Sequence, residues 1–284
     1  MIVVMGASGR VGGAALEIVE RAGRRVRGIR RRARGTPQGA AEWVTADALD
    51  TPALASAFAG AEAVFVLNPV SPDAGDVHAE ADRLSASIAR ALDMASVPYA
   101  VVLSSQGAHL AVGTGVVTTL HRFEAALGET RTALTLLRPA YFLESWVPLA
   151  RHALETGELP AYLDPVSRAI DAVSARDVGM IAAQHLMAPH PGVVNIVGST
   201  RCSDEEAAET IASLHGRPVR LIPVPAHQVA AAHAAAGLGH SLATEIAAMY
   251  RAINGAGIPF EDGVGRCVSG SVTLRETLGI LRPA

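Results

Sequence analysis

Met5-Gly6-Ala7-Ser8-Gly9-Arg10-Val11-Gly12 is the stretch whose reading decides the fold. It follows the apolar run Ile2-Val-Val-Met5 and leads into a segment where Val11, Ala15, Ile18, Val19 and Ala22 recur at helical spacing, closed by Gly23. Strand, glycine turn and helix in that order bring backbone close to a pyrophosphate. Residues without a Cβ allow the approach, and the helix start offers free N–H groups and the positive end of its dipole. The spacing GxxGxxG alone is weak, because tight turns also use glycine; its place after the first strand gives it force. Gly6, Ser8, Gly9, Arg10, Val11 and Gly12 are therefore the candidate dinucleotide-binding loop.

Outward from this loop, the first 140 or so residues alternate apolar runs with helix-like patterns, the rhythm of a parallel sheet covered by helices. Further strands are expected at Arg25–Ile29, Trp43–Thr45, Ala63–Leu67, Tyr99–Leu103 and Leu134–Leu137. The runs AVFVL and AVVL do not alternate, as befits strands buried on both faces. Thr51-Pro52 is expected to open the second helix as cap and first-turn proline, with Gly60 ending it. After Arg138-Pro139 the rhythm changes. Capping boxes at Ser174–Asp177 and Ser203–Glu206 predict helices near 175–187 and 204–215, Val193–Val197 and Val219–Val224 read as strands, and 226–253 is alanine-rich and helical. The fold class is α/β, a Rossmann-type doubly wound parallel sheet with a small C-terminal substrate-covering lobe. The dinucleotide-binding domain is expected over 1–145, completed by about 168–198, and the lobe over 146–167 and 199–284.

Composition narrows the functions. Half the residues are hydrophobic and the net charge is −3, so no global field favours nucleic acid or an anionic membrane. The two cysteines, Cys202 and Cys267, make no CxxC pair and no disulfide framework, which fits a reducing cytoplasm. The first five residues lack a basic n-region, and no charge-free apolar run approaches the roughly 18 residues that cross a bilayer. All 24 basic residues are arginine, so any mechanism that needs a lysine is excluded.

The second strand selects the nucleotide. NAD binders place a carboxylate about 20 residues after the loop to accept the ribose 2′-hydroxyl. Here the strand ends in Arg30, Arg31 and Arg32, with no carboxylate between Glu20 and Glu42. Guanidinium groups there would clamp a 2′-phosphate, which points to NADP(H), and Arg10 is in reach of the same group. The alternatives are a solvated basic surface or a nucleic-acid patch from Arg21 to Arg34, the latter disfavoured because no aromatic residue interleaves the arginines.

The catalytic signals are sparser. The tyrosines are Tyr99, Tyr141, Tyr162 and Tyr250, and none has a lysine partner, so the usual acid of alcohol–ketone chemistry is missing. Ser104-Ser105-Gln106 lies at the end of the fifth strand, where active-site residues of such sheets gather. His121 is a candidate proton donor, or else it caps or packs its helix. Tyr141-Phe142 either walls a substrate pocket or fills core. No metal site is expected, since no histidine pair has the spacing of a helical zinc site, and no GxSxG elbow occurs.

Together, Gly6-Ala-Ser-Gly-Arg-Val-Gly12, Val26-Arg-Gly-Ile-Arg-Arg31, Ala46-Asp47 with Asp50, His121-x-x-Glu124, Leu137-Arg-Pro139 and Asp171–Val178 resemble the NmrA-like atypical short-chain dehydrogenases. The resemblance runs from residue 1 to about 225. It implies that Gly6, Gly9 and Gly12 hold the pyrophosphate and Arg31 the 2′-phosphate. It also implies that Asp47 lies beside the adenine, with Asn68 and Ser104 along the nicotinamide half. The family's ether reductases use a lysine in the segment here occupied by Val117–Phe123. Its absence favours the quinone-reductase-like or sensor branches, where a histidine corresponding to His121 is common.

The leading expectation is an NADPH-dependent reductase of a quinone or similar electron-poor aromatic molecule. Ser105, Gln106, Tyr141, Phe142 and Trp146 would form its pocket and His121 its proton source. A non-catalytic NADP-sensing regulator and a non-redox isomerase or dehydratase stay open. The sequence leaves the oligomeric state open, a homodimer included.

Overall fold

The computed structural model describes residues 1–32, 39 and 41–281. Six strands and four helices come first: β1 (Ile2–Met5), α1 (Arg10–Arg21), β2 (Val26–Arg30), β3 (Glu42–Thr45), α2 (Thr51–Phe58), β4 (Ala63–Leu67), α3 (Val77–Met94), β5 (Tyr99–Leu103), α4 (Thr118–Gly128) and β6 (Ala133–Pro139). The second part adds β7 (Tyr141–Phe142), α5 (Trp146–Thr156), β8 (Glu158–Ala161), β9 (Ile170–Val173), α6 (Ala175–Met187), β10 (Gly192–Val197), β11 (Arg201–Cys202) and α7 (Asp204–His215). The chain continues through β12 (Arg220–Pro223), α8 (Val229–Ala235), α9 (His240–Asn254), β13 (Arg266–Ser269) and α10 (Leu274–Leu278).

Eight strands form one parallel sheet in the order β13-β10-β6-β5-β4-β1-β2-β3. The order reverses beside β1, which opens a crevice at the carboxyl ends of β1 and β4. Strand period two splits the core cleanly. Ile2 and Val4 of β1 pack on one face with α1 and α6, while Val3 and Met5 pack on the other with α2, α3 and α4. Glycines permit the tightest approach on the first face: a Cβ at Gly179 of α6 would lie 2.6 Å from the Ala14 Cβ and 2.7 Å from the Val11 carbonyl of α1. A third core, centred on Trp146, Leu159, Ala207 and Tyr250, holds the C-terminal lobe.

Four local expectations differ from the structure. Asp50, not Thr51, caps α2, accepting from the Ala53 N–H, while the Thr51 hydroxyl pairs with Ser87. Ser174 caps α6, but Asp177 does not close a box; its carboxylate takes the Ser174 hydroxyl and the Ser271 and Val272 N–H groups. The 226–253 region breaks at Ala236–Gly239, where Gly239 packs against the Pro72 carbonyl and donates to it. Within the segment expected to form only lobe, β13 returns to pair with β10 at the sheet edge. Its residues are mostly exposed, so it carries no apolar run to betray it.

Candidate active site

The glycine loop lies at the switch point. Gly6 has φ +66°, a left-handed conformation that favours glycine, and a Cβ on Gly12 would lie 2.5 Å from the Gly6 carbonyl oxygen. Gly9 is the N-cap of α1; no side chain caps this helix and no carboxylate lies in its first turn. Its leading N–H groups and dipole end are thus left for an anion. The cleft in front encloses about 700 Å³ and is bounded by Gly6, Gly9, Arg10, Val11 and Gly12 on one side, with Phe142 and Ser145 on another. A cradle that Cβ atoms would fill, facing an uncapped helix start, fits a dinucleotide pyrophosphate.

The other predicted cofactor residues fall along the same sheet edge. Met5 pairs with Ile29, so Arg30 and Arg31 sit level with the start of the loop. Arg30 covers the Trp43 ring at 5.3 Å and Arg31 is exposed. Arg34 lies outside the described residues. Asp47, exposed beyond β3, accepts from the Leu49 N–H at 2.9 Å. The Asn68 amide donates to the Ala81 carbonyl and to Ser85, leaving its buried Oδ1 without a partner among the described residues.

Ser104 has a different occupation. Its hydroxyl donates to Glu124, whose two oxygens accept from Arg138 at 2.9 and 2.6 Å; Arg138 also donates to Glu261 at 2.6 Å. Burial alone would lower the Arg138 pKa, but its hydrogen bonds to Glu124 and Glu261 outweigh that and hold it above the ordinary value. The motifs His121-x-x-Glu124 and Leu137-Arg-Pro139 therefore meet in one buried ion pair that joins β5, α4 and β6.

A second cavity, of about 370 Å³, adjoins the cleft and shares Phe142 and Ser145 with it. Ser105 and Gln106 line it after β5, Tyr141 and Phe142 after β6, and Met249 and Ile258 close it from the lobe side. The Tyr141 hydroxyl pairs with that of Tyr250 at 2.6 Å. Burial pushes the Tyr141 phenol up to about 12, against the opposing hydrogen bonds of Tyr250 and Ser145.

Two predicted residues are elsewhere. Trp146 is 1% exposed and lines neither cavity. Its indole N–H donates to Asp204 at 2.7 Å, so the ring belongs to the lobe core, where it meets Tyr141 in a T-shaped contact. His121 also stands outside both walls, with Nδ1 2.9 Å from the Ala108 carbonyl oxygen. Conversely, Ser145, Arg168 and Arg201 escaped the sequence reading, and Tyr250 entered it only as a tyrosine without a lysine partner. Ser145 sits between two residues that were singled out, whereas the others come from distant segments with no motif around them.

Among the described residues, no three His, Cys, Asp or Glu side chains gather as a metal site, and no helix is long and apolar enough to cross a membrane.

NAD(P)H azoreductase of Xenophilus azovorans is 24% identical to this chain over 257 residues, covering 88% of this chain and 86% of its own. In fold the chain is similar to an NADPH-dependent quinone oxidoreductase of Escherichia coli complexed with NADPH, with a TM-score of 0.78, 22% identity and 99% of each chain covered. It is similar also to the triphenylmethane reductase of a Citrobacter species complexed with NADP(H), with a TM-score of 0.77, 21% identity and 98% of each chain covered. The sequence profile of an NAD(P)H-binding family matches residues 6–179, more than half of the chain and inclusive of the glycine loop. The chain belongs to this NAD(P)H-binding family.

Proposed function

We propose that the chain is an NADPH-dependent reductase of a flat, electron-poor aromatic molecule of the quinone or dye type. The observation that carries this reading is the wall shared by the two cavities: Phe142 and Ser145 border both the glycine-loop cleft and the aromatic-lined pocket. A planar ring in the second cavity would thus abut the end of a dinucleotide lying in the first. The three reductases named above, by their names, act on an azo compound, a quinone and a triphenylmethane.

Gly6, Gly9 and Gly12 hold the pyrophosphate in this reading, and Arg31, with Arg10 beside it, the 2′-phosphate. Asp47 stands toward the adenine and Asn68 toward the nicotinamide half. NADPH held there would supply a hydride, with its two electrons, for the ring. One proton completes the reduction, and Tyr141 is the cavity residue suited to hold it. Burial keeps its phenol protonated, and with Tyr250 donating to Tyr141 Oη, the Tyr141 proton is free for an oxygen of the reduced ring. A quinone spreads the incoming charge over its ring and so needs a weaker acid than a simple ketone does. His121, bonded to the Ala108 carbonyl, positions the 108–121 segment. The C-terminal lobe, through Met249 and Ile258, covers the ring.

The test is NADPH consumption with a panel of quinones and azo dyes, without added metal or flavin. Turnover with at least one class is expected. Tight NADPH binding with no consumption across the panel would overturn the reading.

A further inference from the structure

The second cavity is apolar over most of its surface, with Val117, Pro139, Phe142, Met249 and Ile258 among its walls, yet one end carries Arg168, Arg201 and Asp171. Arg168 is held by two backbone carbonyls: Nε donates to Asp164 O at 2.7 Å and Nη2 to Asn254 O at 2.9 Å. Asn254 is itself fixed, accepting from the Asp164 N–H and donating to the Tyr162 carbonyl. Neither contact neutralises the guanidinium. Among the described residues Arg168 has no carboxylate partner, and its Nη1 has no partner at all. Most other buried or half-buried arginines here are paired: Arg138 with Glu124 and Glu261, Arg27 with Glu42, Arg122 with Asp82.

Arg201 adds a second charge. It lies on β11 opposite Asp171 of β9, donates to the Ala169 carbonyl, and keeps Nε 3.8 Å from the Asp171 carboxylate. Two guanidinium groups against one carboxylate leave the cavity wall net positive. In the three-stranded sheet β11-β9-β7, Asp171 faces Arg201 and Val173, two residues on, faces Phe142, so Arg201, Asp171 and Phe142 share one face of it. Two strand spacings and two residues along β9, roughly 12 Å between Cα atoms, therefore separate Phe142 from Arg201. That is the reach of a fused two-ring system with one substituent.

We propose that Arg168 and Arg201 form an anion subsite that takes a carboxylate or sulfonate carried by the flat aromatic substrate, an assignment that rests on the reductase reading above. The subsite lies across the small sheet from Phe142 and Ser145, the cofactor side, so it orients the substrate and takes no part in the chemistry. Arg168, immobilised beforehand, gives up little side-chain freedom on binding the anion.

The test compares 1,2-naphthoquinone with its 4-sulfonate. In the parent protein the sulfonate is expected to have the higher kcat/KM. Arg168→Gln should lower the ratio of sulfonated to neutral kcat/KM by about tenfold, the value of one charge-assisted contact. Arg201→Gln should lower it less, and Asp171→Asn should raise it. Added salt should shrink the parent's preference. The same ratio in parent and Arg168→Gln would overturn the proposal. A binding titration keeps it separate from the reductase reading. Naphthalene-2-sulfonate should bind the parent at least tenfold tighter than 2-naphthol and lose that margin in Arg168→Gln, even if no quinone turns over. Equal binding of the two would overturn the subsite whatever the turnover.

Discussion

The glycine-loop cleft is made of backbone. Its shape comes from Gly6, Gly9 and Gly12 within seven consecutive residues, and its attraction for an anion from the uncapped start of α1. The neighbouring cavity is made of residues gathered from six separate segments, between Ser105 and Ile258. Among the described residues the two share only Phe142 and Ser145. A cleft built from backbone either forms or fails. A cavity built from dispersed side chains can be tuned one residue at a time, so a single nucleotide-binding frame serves many substrates.

The largest effect is expected beneath both regions, in the buried ion pair that joins β5, α4 and β6. Glu124→Gln removes the carboxylate that joins Ser104 to Arg138, leaving the buried guanidinium with the carboxylate of Glu261. Breaking such a pair should cost about 3 kcal/mol, read as a lowered denaturation midpoint at constant slope. Unchanged stability would mean that the pair contributes nothing beyond local contact.

Next comes the backbone cleft alone. Gly9→Val places a branched Cβ where a pyrophosphate must approach, with 3.2 Å to the Gly6 carbonyl oxygen already tight. NADPH affinity should fall at least about a hundredfold, or 2.7 kcal/mol, while the thermal midpoint moves by only a few degrees. Arg31→Ala sharpens the picture at the cleft's far end. It should weaken NADPH by about tenfold to a hundredfold and leave NADH nearly unaffected, because the lost contact is to a phosphate that only NADPH carries. Equal losses for both nucleotides would remove Arg31 from the 2′-phosphate site.

The cavity should respond more gently. Tyr141→Phe keeps the ring and the wall but deletes the hydroxyl paired with Tyr250, so kcat should fall by about tenfold to a hundredfold with NADPH affinity held. His121→Gln should change kcat by less than about threefold, since that side chain lines neither cavity. The reverse ranking would return the proton to His121.

The same contrast explains what the residues disclosed in advance. The loop was legible because its chemistry is local: a strand, three glycines and a helix within the first 21 residues. The buried strands were legible as unbroken apolar runs, whereas β13, short and exposed at the sheet edge, was not. Glu124 and Arg138 stood out as parts of two motifs, but only folding shows that they bond to each other. Tyr141 and Phe142 were visible after Arg138-Pro139. Trp146, five residues beyond Tyr141, turns instead toward Asp204, 58 residues away, a choice that nearest neighbours do not dictate. Tyr250, 109 residues from Tyr141, left no local mark of their bond.

The central claim is that a ring held against Phe142 receives its electrons directly from the dinucleotide in the glycine cleft. A single-turnover experiment with NADPH deuterated at its transferring position, a naphthoquinone, and protein free of flavin and metal tests it most directly. The account predicts one NADPH oxidised for each quinone reduced, at a rate slowed by the deuterium. Tight NADPH binding with no oxidation, or oxidation at a rate that deuterium leaves unchanged, would contradict it.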